Sequence, residues 1–156
     1  MSEVEYREMK AGEACEVSDL VQSQFRKYIA HTYKPQGVEK FLMFTTPDSL
    51  LERKMAGQLI LVGEYGGSMV GVITIRDGSH ISLMFVHDTF HRQGIGTELV
   101  RRATEKIRTV HPGVCRITVN SSPYGVPFYG LLGFRATGPE MFKNGMLITP
   151  MALDLS

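Results

Sequence analysis

The most informative segment of the chain is Leu83-Met84-Phe85-Val86-His87-Asp88-Thr89-Phe90-His91-Arg92-Gln93-Gly94-Ile95-Gly96-Thr97. Its first residues are apolar and have the character of a β-strand, whereas Gly94 and Gly96 stand where a helix begins. A helix start carries unpaired backbone N–H groups and a partial positive charge, and glycines remove the side chains that would keep a diphosphate from those donors. The segment therefore predicts a site for a phosphate-bearing cofactor. The alternative is a glycine-containing loop that only turns a strand into a helix.

Two other nucleotide-binding motifs fit this segment poorly. Residues 94–99 lack the third glycine of a Rossmann loop, and the preceding strands are joined by hairpins instead of alternating with helices. No Gly-Lys-Ser or Gly-Lys-Thr occurs here, which argues against a Walker A loop. We therefore expect a phosphate site of another kind.

Three predicted strands lead up to this segment. They are rich in Val, Ile, Leu and aromatic residues, and they are separated by Gly66-Gly67 and Asp77-Gly78, two strong hairpin-turn signals. The pattern predicts an antiparallel meander whose strands are Leu59 to Tyr65, Met69 to Arg76 and His80 to Val86.

The flanking regions alternate between helix and strand. Apolar residues repeat every four positions from Gly94 to Val110, which predicts a helix that packs on the sheet. The remaining predicted elements are a strand in residues 3–9, helices from Gly12 to about Ala30 and from Thr46, a strand from Cys115 to Val119, a helix from Val126 to Leu132, and two strands between Phe134 and Leu155 that turn at Asn144-Gly145. The order predicts a mixed sheet with helices on its faces.

Length, charge and cysteine content narrow the function classes. The 156 residues suit one domain, residues 1–156, and contain no repeat or linker at which a second domain would begin. A net charge of +1 argues against nucleic acid as the main partner, and no segment approaches the length of a membrane span. Cys15 and Cys115 match no metal-ligand spacing, and we expect them to be buried thiols in a cytoplasmic protein.

Two motifs resemble those of the GNAT superfamily of N-acetyltransferases. In that family a strand ending in Val leads to Arg/Gln-x-x-Gly-x-Gly/Ala and a helix, and His91-Arg92-Gln93-Gly94-Ile95-Gly96 occupies that place here, with His91 where Arg or Gln is typical. The second motif, Val126-Pro127-Phe128-Tyr129-Gly130-Leu131-Leu132-Gly133-Phe134, is similar to the family's Ala-x-x-Phe-Tyr-x-x-x-Gly-Phe. The resemblance covers about residues 58–155. It implies an α/β (α+β) fold with a mixed, mostly antiparallel sheet of about seven strands, four flanking helices and splayed strands 4 and 5.

The resemblance also implies how acetyl-coenzyme A, the expected cosubstrate, is bound without a metal. Family members leave backbone groups of the fourth strand unpaired, so that the pantetheine arm binds as an additional strand. The implied main-chain contacts are Met84, Phe85 and Val86, and the implied pyrophosphate cradle is Arg92, Gln93, Gly94, Ile95, Gly96 and Thr97. Asn120, Ser121 and Ser122 follow the fifth strand, where relatives often place a cofactor-binding Asn; the best candidates are Asn120 and Ser122. The alternative for these three is a polar loop that satisfies its own backbone.

Two residues are candidates for proton transfer. Tyr129 matches the tyrosine that acts as general acid in many family members, and the alternative for Tyr129 is an aromatic of the short helix packed in the core. His80 begins the fourth strand near where some relatives carry a Glu, and a histidine can accept a proton at neutral pH. The alternative for His80 is a hydrogen-bonded or exposed side chain after the turn. Many relatives need no dedicated base and release the proton through ordered water.

These features predict an enzyme that transfers the acetyl group of acetyl-coenzyme A to a primary amine, on a small molecule or a peptide, by direct attack in a ternary complex. A non-catalytic domain that binds acyl-coenzyme A as a sensor or interaction partner is the first alternative, and an unrelated nucleotide-binding α/β domain is the second. Acceptor specificity is expected between the first two helices, from His31 to Phe44. The resemblance also makes a homodimer possible.

Overall fold

A computed structural model describes residues 3–155 of the chain. Within that range a mixed sheet of eight strands forms the centre of the fold. The strands are β1 (Glu5–Glu8), β2 (Leu59–Tyr65), β3 (Ser68–Arg76), β4 (His80–Val86), β5 (Arg116–Ser121), β6 (Arg135–Ala136), β7 (Met141–Lys143) and β8 (Met146–Asp154). Their spatial order is β1-β2-β3-β4-β5-β8-β6, and β7 forms a hairpin with the first part of β8.

Tight turns set the antiparallel register of the hairpins. Asp77 and Gly78, between β3 and β4, have φ of 53° and 77°, and Asn144 and Gly145, between β7 and β8, have φ of 52° and 80°. Two successive residues with positive φ give the turn geometry that matches the natural twist of paired strands. The predicted meander is confirmed by the antiparallel pairing of β2 with β3 and of β3 with β4.

The one parallel contact in the sheet, between β4 and β5, is short. Only His80 with Thr118 and Ile81 with Val119 are paired in the described structure, and the strands diverge beyond these two positions. The divergence starts at Ser82, which forms a β-bulge. Thr74 pairs with Leu83 and Ile75 with Ile81, so β4 has one more residue than β3 at this point. An extra residue of this kind bends a strand. The predicted splaying of strands 4 and 5 thus has a local cause in the chain.

Five α-helices cover the two faces of the sheet in the described range. They are α1 (Ala14–Tyr28), α2 (Pro35–Phe44), α3 (Pro47–Met55), α4 (Ile95–Val110) and α5 (Val126–Leu131). The first three pack on one face, where Phe25 and Phe41 stack with ring centroids 4.0 Å apart. The other two pack on the opposite face, and the buried residues of α4 include Ile95, Leu99, Ala103 and Ile107, the four residues that predicted this helix.

The structure corrects three predictions. Helix α2 lies where the sequence analysis placed a connection, and β6 brings the strands to eight instead of about seven. The signals for α2 are Pro35 in its first turn and Val38, Phe41 and Leu42 at helical spacing, but Gly37 interrupts the pattern. Cys15 and Cys115 are free but exposed, so the prediction of buried thiols is wrong.

No helix of residues 3–155 is long and apolar enough to cross a membrane.

Candidate active site

A cavity of about 540 Å³ lies where β4 and β5 diverge. Its walls come from both layers of the fold, because α1 and α2 residues meet the start of α4 and the end of β5 across the gap. A volume of this size is in the range of small-molecule and cofactor sites. The strand divergence therefore produces a cavity that passes from one face of the sheet to the other.

The exposed edge of β4 forms one wall of this cavity. Met84, Phe85 and Val86, the three predicted main-chain contacts, all line it, and none of them pairs with β5 in the described structure. The Val86 carbonyl oxygen accepts a hydrogen bond of 2.7 Å from Nε2 of His91. Backbone groups on an unpaired edge need hydrogen-bond partners, which an extended ligand with its own amides can supply.

The start of α4 forms the second wall. Helix α4 begins at Ile95, and its first backbone bond runs from the Glu98 N–H to the Gly94 carbonyl. The N–H groups of Ile95, Gly96 and Thr97 precede this bond and have no partner within the helix. Arg92 and Gly94 have φ of 64° and 81°, a left-handed conformation that turns the chain sharply ahead of the helix.

Gly96 allows close packing at this point. A Cβ atom there would lie 3.0 Å from the Phe128 ring and 3.2 Å from Cε of Met84, so a larger residue would push the first turn of α4 away from α5 and β4.

All predicted cradle residues except Gln93, which is exposed, line the cavity. The unpaired N–H groups and the unpaired β4 edge together fit a ligand that carries a diphosphate on an extended, amide-containing arm.

Tyr129 lines the cavity from α5. Its ring packs edge-on against Phe128 and Phe134, with centroid separations of 5.1 Å and 5.2 Å, and the residue is only 6% exposed. Burial raises the pKa of the Tyr129 hydroxyl well above its usual value. The hydroxyl makes no hydrogen bond to the described part of the protein, so the phenol is a neutral donor at the cavity wall.

Asn120 and Ser122 also line the cavity, at the end of β5. The Oγ atom of Ser122 accepts a hydrogen bond of 3.2 Å from the Gly125 N–H, which shapes the turn into α5. Ser122 therefore has a structural contact in addition to its place in the wall.

Thirteen residues were predicted for the site, and eleven of them line the cavity.

His80 and Gln93 are the two that do not line it. His80 lies at the closed end of the gap, where β4 and β5 are still paired, and its Nδ1 forms a hydrogen bond of 2.7 Å with Oγ1 of Thr118. Burial, with a smaller effect from the charge of Arg76, lowers the pKa of His80 to about 4. His80 is therefore a neutral, hydrogen-bonded side chain away from the cavity.

Aromatic residues surround the mouth of the cavity. The rings of Tyr28 and Tyr124 stack with centroids 4.8 Å apart, and the His91 ring lies 5.9 Å from that of Tyr28. The Tyr28 hydroxyl donates a hydrogen bond of 2.9 Å to Asp88, which is also ion-paired with Lys27. These two hydrogen bonds lower the pKa of the Asp88 carboxyl far below its usual value, so the carboxylate stays charged and fixes α1 to the segment after β4.

The α1–α2 wall includes Tyr33 and Phe41, which lie in the segment from His31 to Phe44 where acceptor specificity is expected, together with residues of α1 that were not predicted for the site. This wall contains Gln24, Tyr28, Ile29, Tyr33 and Phe41. The strongest signal was Gln24, a polar residue on the apolar stripe of α1 that includes Val17 and Val21. A polar side chain at such a position is either satisfied in the core or directed at a ligand, and the sequence alone does not distinguish the two.

Comparison with known proteins identifies the same fold. Residues 29–155 match the family model described as an acetyltransferase (GNAT) domain. A GCN5-related N-acetyltransferase from Rhodopseudomonas palustris superposes with a TM-score of 0.80 at 23% identity, over 99% of this chain and 98% of that one. The PaiA N-acetyltransferase from Thermoplasma acidophilum, solved with coenzyme A, superposes with a TM-score of 0.79 at 15% identity, over 97% and 99% of the two chains.

A further solved structure contains the acetylated cofactor. YncA from Salmonella typhimurium, described as a putative acetyltransferase with acetyl-coenzyme A, superposes with a TM-score of 0.69 at 17% identity, over 98% of this chain and 94% of that one. A search of curated protein sequences gave no significant match. The family match over residues 29–155, together with the splayed β4–β5 pair and the glycine-containing start of α4, places this chain in the GNAT acetyltransferase family.

Proposed function

We propose that this protein transfers the acetyl group of acetyl-coenzyme A to a primary amine by direct attack in a ternary complex. The observation that carries the proposal is the cavity through the sheet, since α1 and α2 residues line it from one face and α4 and α5 residues from the other, which gives a cosubstrate and an acceptor separate ways in. Acetyl-coenzyme A supplies an acetyl group activated as a thioester. Solved relatives that contain coenzyme A or acetyl-coenzyme A support this choice of cosubstrate.

Cofactor binding and proton donation would be carried out by different residues of this chain. The N–H groups at the start of α4, with Arg92, bind the diphosphate, and the β4 edge holds the arm in an extended conformation. Tyr129 holds a proton within the gap and can donate it to the departing sulfur. Because the Tyr129 hydroxyl has no other hydrogen-bond partner among the described residues, its proton is available for that step.

The amine must lose its own proton to become a nucleophile. A lysine-like amine is neutral in only about one molecule in 2,500 at pH 7, which corresponds to roughly 4.6 kcal/mol. No carboxylate of the described residues lines the cavity, and His80 lies outside it. His91 does line it, but its Nε2 already donates to the Val86 carbonyl oxygen and its ring lies against Tyr28 and Tyr124 at the mouth. We therefore propose that no side chain acts as a dedicated base, and that the proton leaves to solvent through the cavity mouth.

We also propose that the protein acts in the cytoplasm. Cys15 and Cys115 are exposed and unpaired, and thiols in such positions persist in a reducing compartment.

The experiment that tests the proposed function is a thiol-release assay over a panel of amines. We expect stoichiometric release of coenzyme A and formation of an N-acetyl product with at least one amine class. The absence of thiol with every acceptor would exclude the function, and continued binding of acetyl-coenzyme A in that case would favour a non-catalytic sensor.

Substitution of Tyr129 by Phe separates an enzyme from a non-catalytic sensor of acyl-coenzyme A. The variant should lose about 10²-fold or more in kcat and keep its affinity for acetyl-coenzyme A, because only the hydroxyl group that donates the proton is removed. Tyr65→Phe is the matched control, since Tyr65 is outside the cavity. Equal turnover of the two variants would assign the proton to another donor.

A further inference from the structure

Gln24 is a buried polar side chain with an unused hydrogen-bonding atom. It is 5% exposed, it lines the cavity from α1, and its Oε1 atom has no hydrogen-bond partner among the described residues. Buried carboxamides are normally satisfied, because an unpaired polar atom is costly away from water. Because Gln24 lines the cavity while its Oε1 atom is enclosed, rotation of the carboxamide about its terminal bond is what brings the oxygen to the cavity surface, where a ligand N–H can supply the missing partner.

The surroundings of Gln24 are apolar and uncharged. Ile29, Tyr33, Phe41 and Phe85 line the same end of the cavity, on the face of the sheet opposite α4. Burial raises the pKa of Tyr33 to about 12, so its hydroxyl is neutral. Apart from the tyrosines, the charged or titratable residues of the described wall are Arg92, ahead of α4, and His91, which lies at the mouth against Tyr28 and Tyr124; no Asp or Glu of the described chain lines the cavity.

We infer that this α1–α2 end of the cavity, resting on the proposed function, accepts a weakly basic primary amine carried on an apolar or aromatic group, with an N–H group that donates to the Gln24 carboxamide. A cationic amine would lose its hydration here without gaining a carboxylate partner, which is strongly unfavourable. A weakly basic amine enters largely in the neutral, nucleophilic form.

The difference between amine classes is large at the reaction pH. At pH 7.5 an α-amine with a pKa of about 7.8 is neutral in roughly one third of molecules, whereas a lysine-like amine with a pKa of about 10.4 is neutral in roughly one in 800. In the transfer, the amine nitrogen bonds to the acetyl carbon, the carbon–sulfur bond breaks, the sulfur gains a proton, and the amine releases one to solvent. The cavity contains no group that would favour the more basic class.

The test compares three acceptors with the wild-type protein. The probes are leucinamide as an α-amine, 4-methylaniline as an arylamine, and 1,5-diaminopentane as a dication. We expect kcat/KM to be at least about tenfold higher for leucinamide or the arylamine than for the diamine, and the better of the two identifies the source of the amine. Equal or higher kcat/KM for the diamine would overturn the inference while leaving the proposed function intact.

Variants of Gln24 test its role directly. Gln24→Glu introduces a carboxylate of the same shape and should raise the diamine to leucinamide ratio of kcat/KM at least tenfold, with an unchanged Kd for acetyl-coenzyme A. Gln36→Glu is the matched control, because Gln36 is exposed on α2 and outside the cavity, and it should leave the ratio unchanged. An unchanged ratio in Gln24→Glu would overturn the inference.

A second variant covers the case in which the buried carboxylate prevents folding. Gln24→Leu removes the hydrogen-bonding atoms but keeps the volume, and it should raise KM for the preferred acceptor about tenfold with little change in kcat. Unaltered KM would also overturn the inference. If the wild-type protein binds acetyl-coenzyme A but releases thiol with no amine, both the inference and the proposed function are wrong, an outcome distinct from reversed selectivity.

Discussion

Tyr129 keeps its proton because the sheet and α5 enclose its side chain. A buried phenolate is poorly solvated, and burial therefore moves the pKa of the Tyr129 hydroxyl upward, away from neutral pH. The same burial orients the ring between Phe128 and Phe134. At the residue scale, the site depends on a proton donor that stays protonated over the whole working range.

This protonation state predicts the pH dependence of turnover. With a raised pKa, Tyr129 remains an acid at every pH up to at least its ordinary value of about 10, while the amine becomes more neutral as the pH rises. We expect kcat/KM to increase with pH through the pKa of the amine and to show no descending limb below about pH 10. A pH–rate profile with a descending limb near neutrality would contradict this assignment.

His80 provides a second prediction, for stability. Its pKa is about 4 in the folded protein and about 6.5 when unfolded, so the unfolded chain binds more protons between these values. The contribution of His80 to stability is complete above pH 6.5 and is lost as the pH falls to 4. His80→Asn should weaken this acid dependence in urea unfolding and leave kcat within about twofold of the wild type.

His111→Asn is the control for His80, because His111 is exposed after α4. It should change neither the acid dependence nor kcat. A drop in kcat of tenfold or more in His80→Asn alone would restore His80 as a candidate base.

At the level of secondary-structure elements, the α1–α2 wall of the cavity is held in place by a contact between α2 and the β7–β8 hairpin. The Lys34 N–H donates a hydrogen bond of 2.8 Å to the Gly145 carbonyl at the hairpin turn. A Cβ atom on Gly37 would lie 2.2 Å from the same carbonyl oxygen, so glycine is the only residue that allows this approach. Helix α2 carries Phe41, and the hairpin therefore positions part of the cavity wall.

Gly37→Ala should break this contact. Overpacking against a fixed backbone typically costs about 1–3 kcal/mol, which urea unfolding measures. Because Phe41 moves with α2, KM for the amine should rise while the Kd for acetyl-coenzyme A stays the same. Gly12→Ala is the control, since a Cβ atom there meets nothing within 4 Å; equal stability of the two variants would show that the α2–hairpin contact contributes little.

Elements that carry local signals were predictable from the sequence. The hairpins follow from Asp77-Gly78 and Asn144-Gly145, and α4 from its four-residue apolar repeat. The glycine-containing start of α4 was predictable for the same reason, because its residues lie within one short segment. The positions of His80 and Gln24 were not, because they depend on the Ser82 bulge and on the packing of α1 across the gap, which join residues distant in the sequence.

In the whole molecule, the gap between β4 and β5 interrupts the hydrogen bonding of the sheet. Two residue pairs join the halves on either side, β1–β4 and β5 with β6–β8, in the described chain. A ligand that forms hydrogen bonds with the β4 edge and contacts Asn120 on β5 would join the two halves of the sheet. Binding should therefore stabilise the whole fold and not only one loop.

This predicts protection against heat by coenzyme A. At a concentration 100 times Kd, a ligand specific for the folded state adds about 2.7 kcal/mol, or roughly 5–10 °C in Tm for a chain of this size. Differential scanning fluorimetry should show this shift with coenzyme A and acetyl-coenzyme A. A comparable shift with NAD or ATP and none with coenzyme A would favour an unrelated nucleotide-binding domain.

A crystal structure with bound acetyl-coenzyme A would show whether the cosubstrate lies in the β4–β5 gap with its thioester beside Tyr129. We expect the pantetheine amides to pair with the edge at Met84–Val86 and the diphosphate to lie on the N–H groups at the start of α4. The sulfur should lie about 3–3.5 Å from the Tyr129 hydroxyl, with open space between the acetyl group and Gln24. A thioester outside the gap, or remote from Tyr129, would contradict the account.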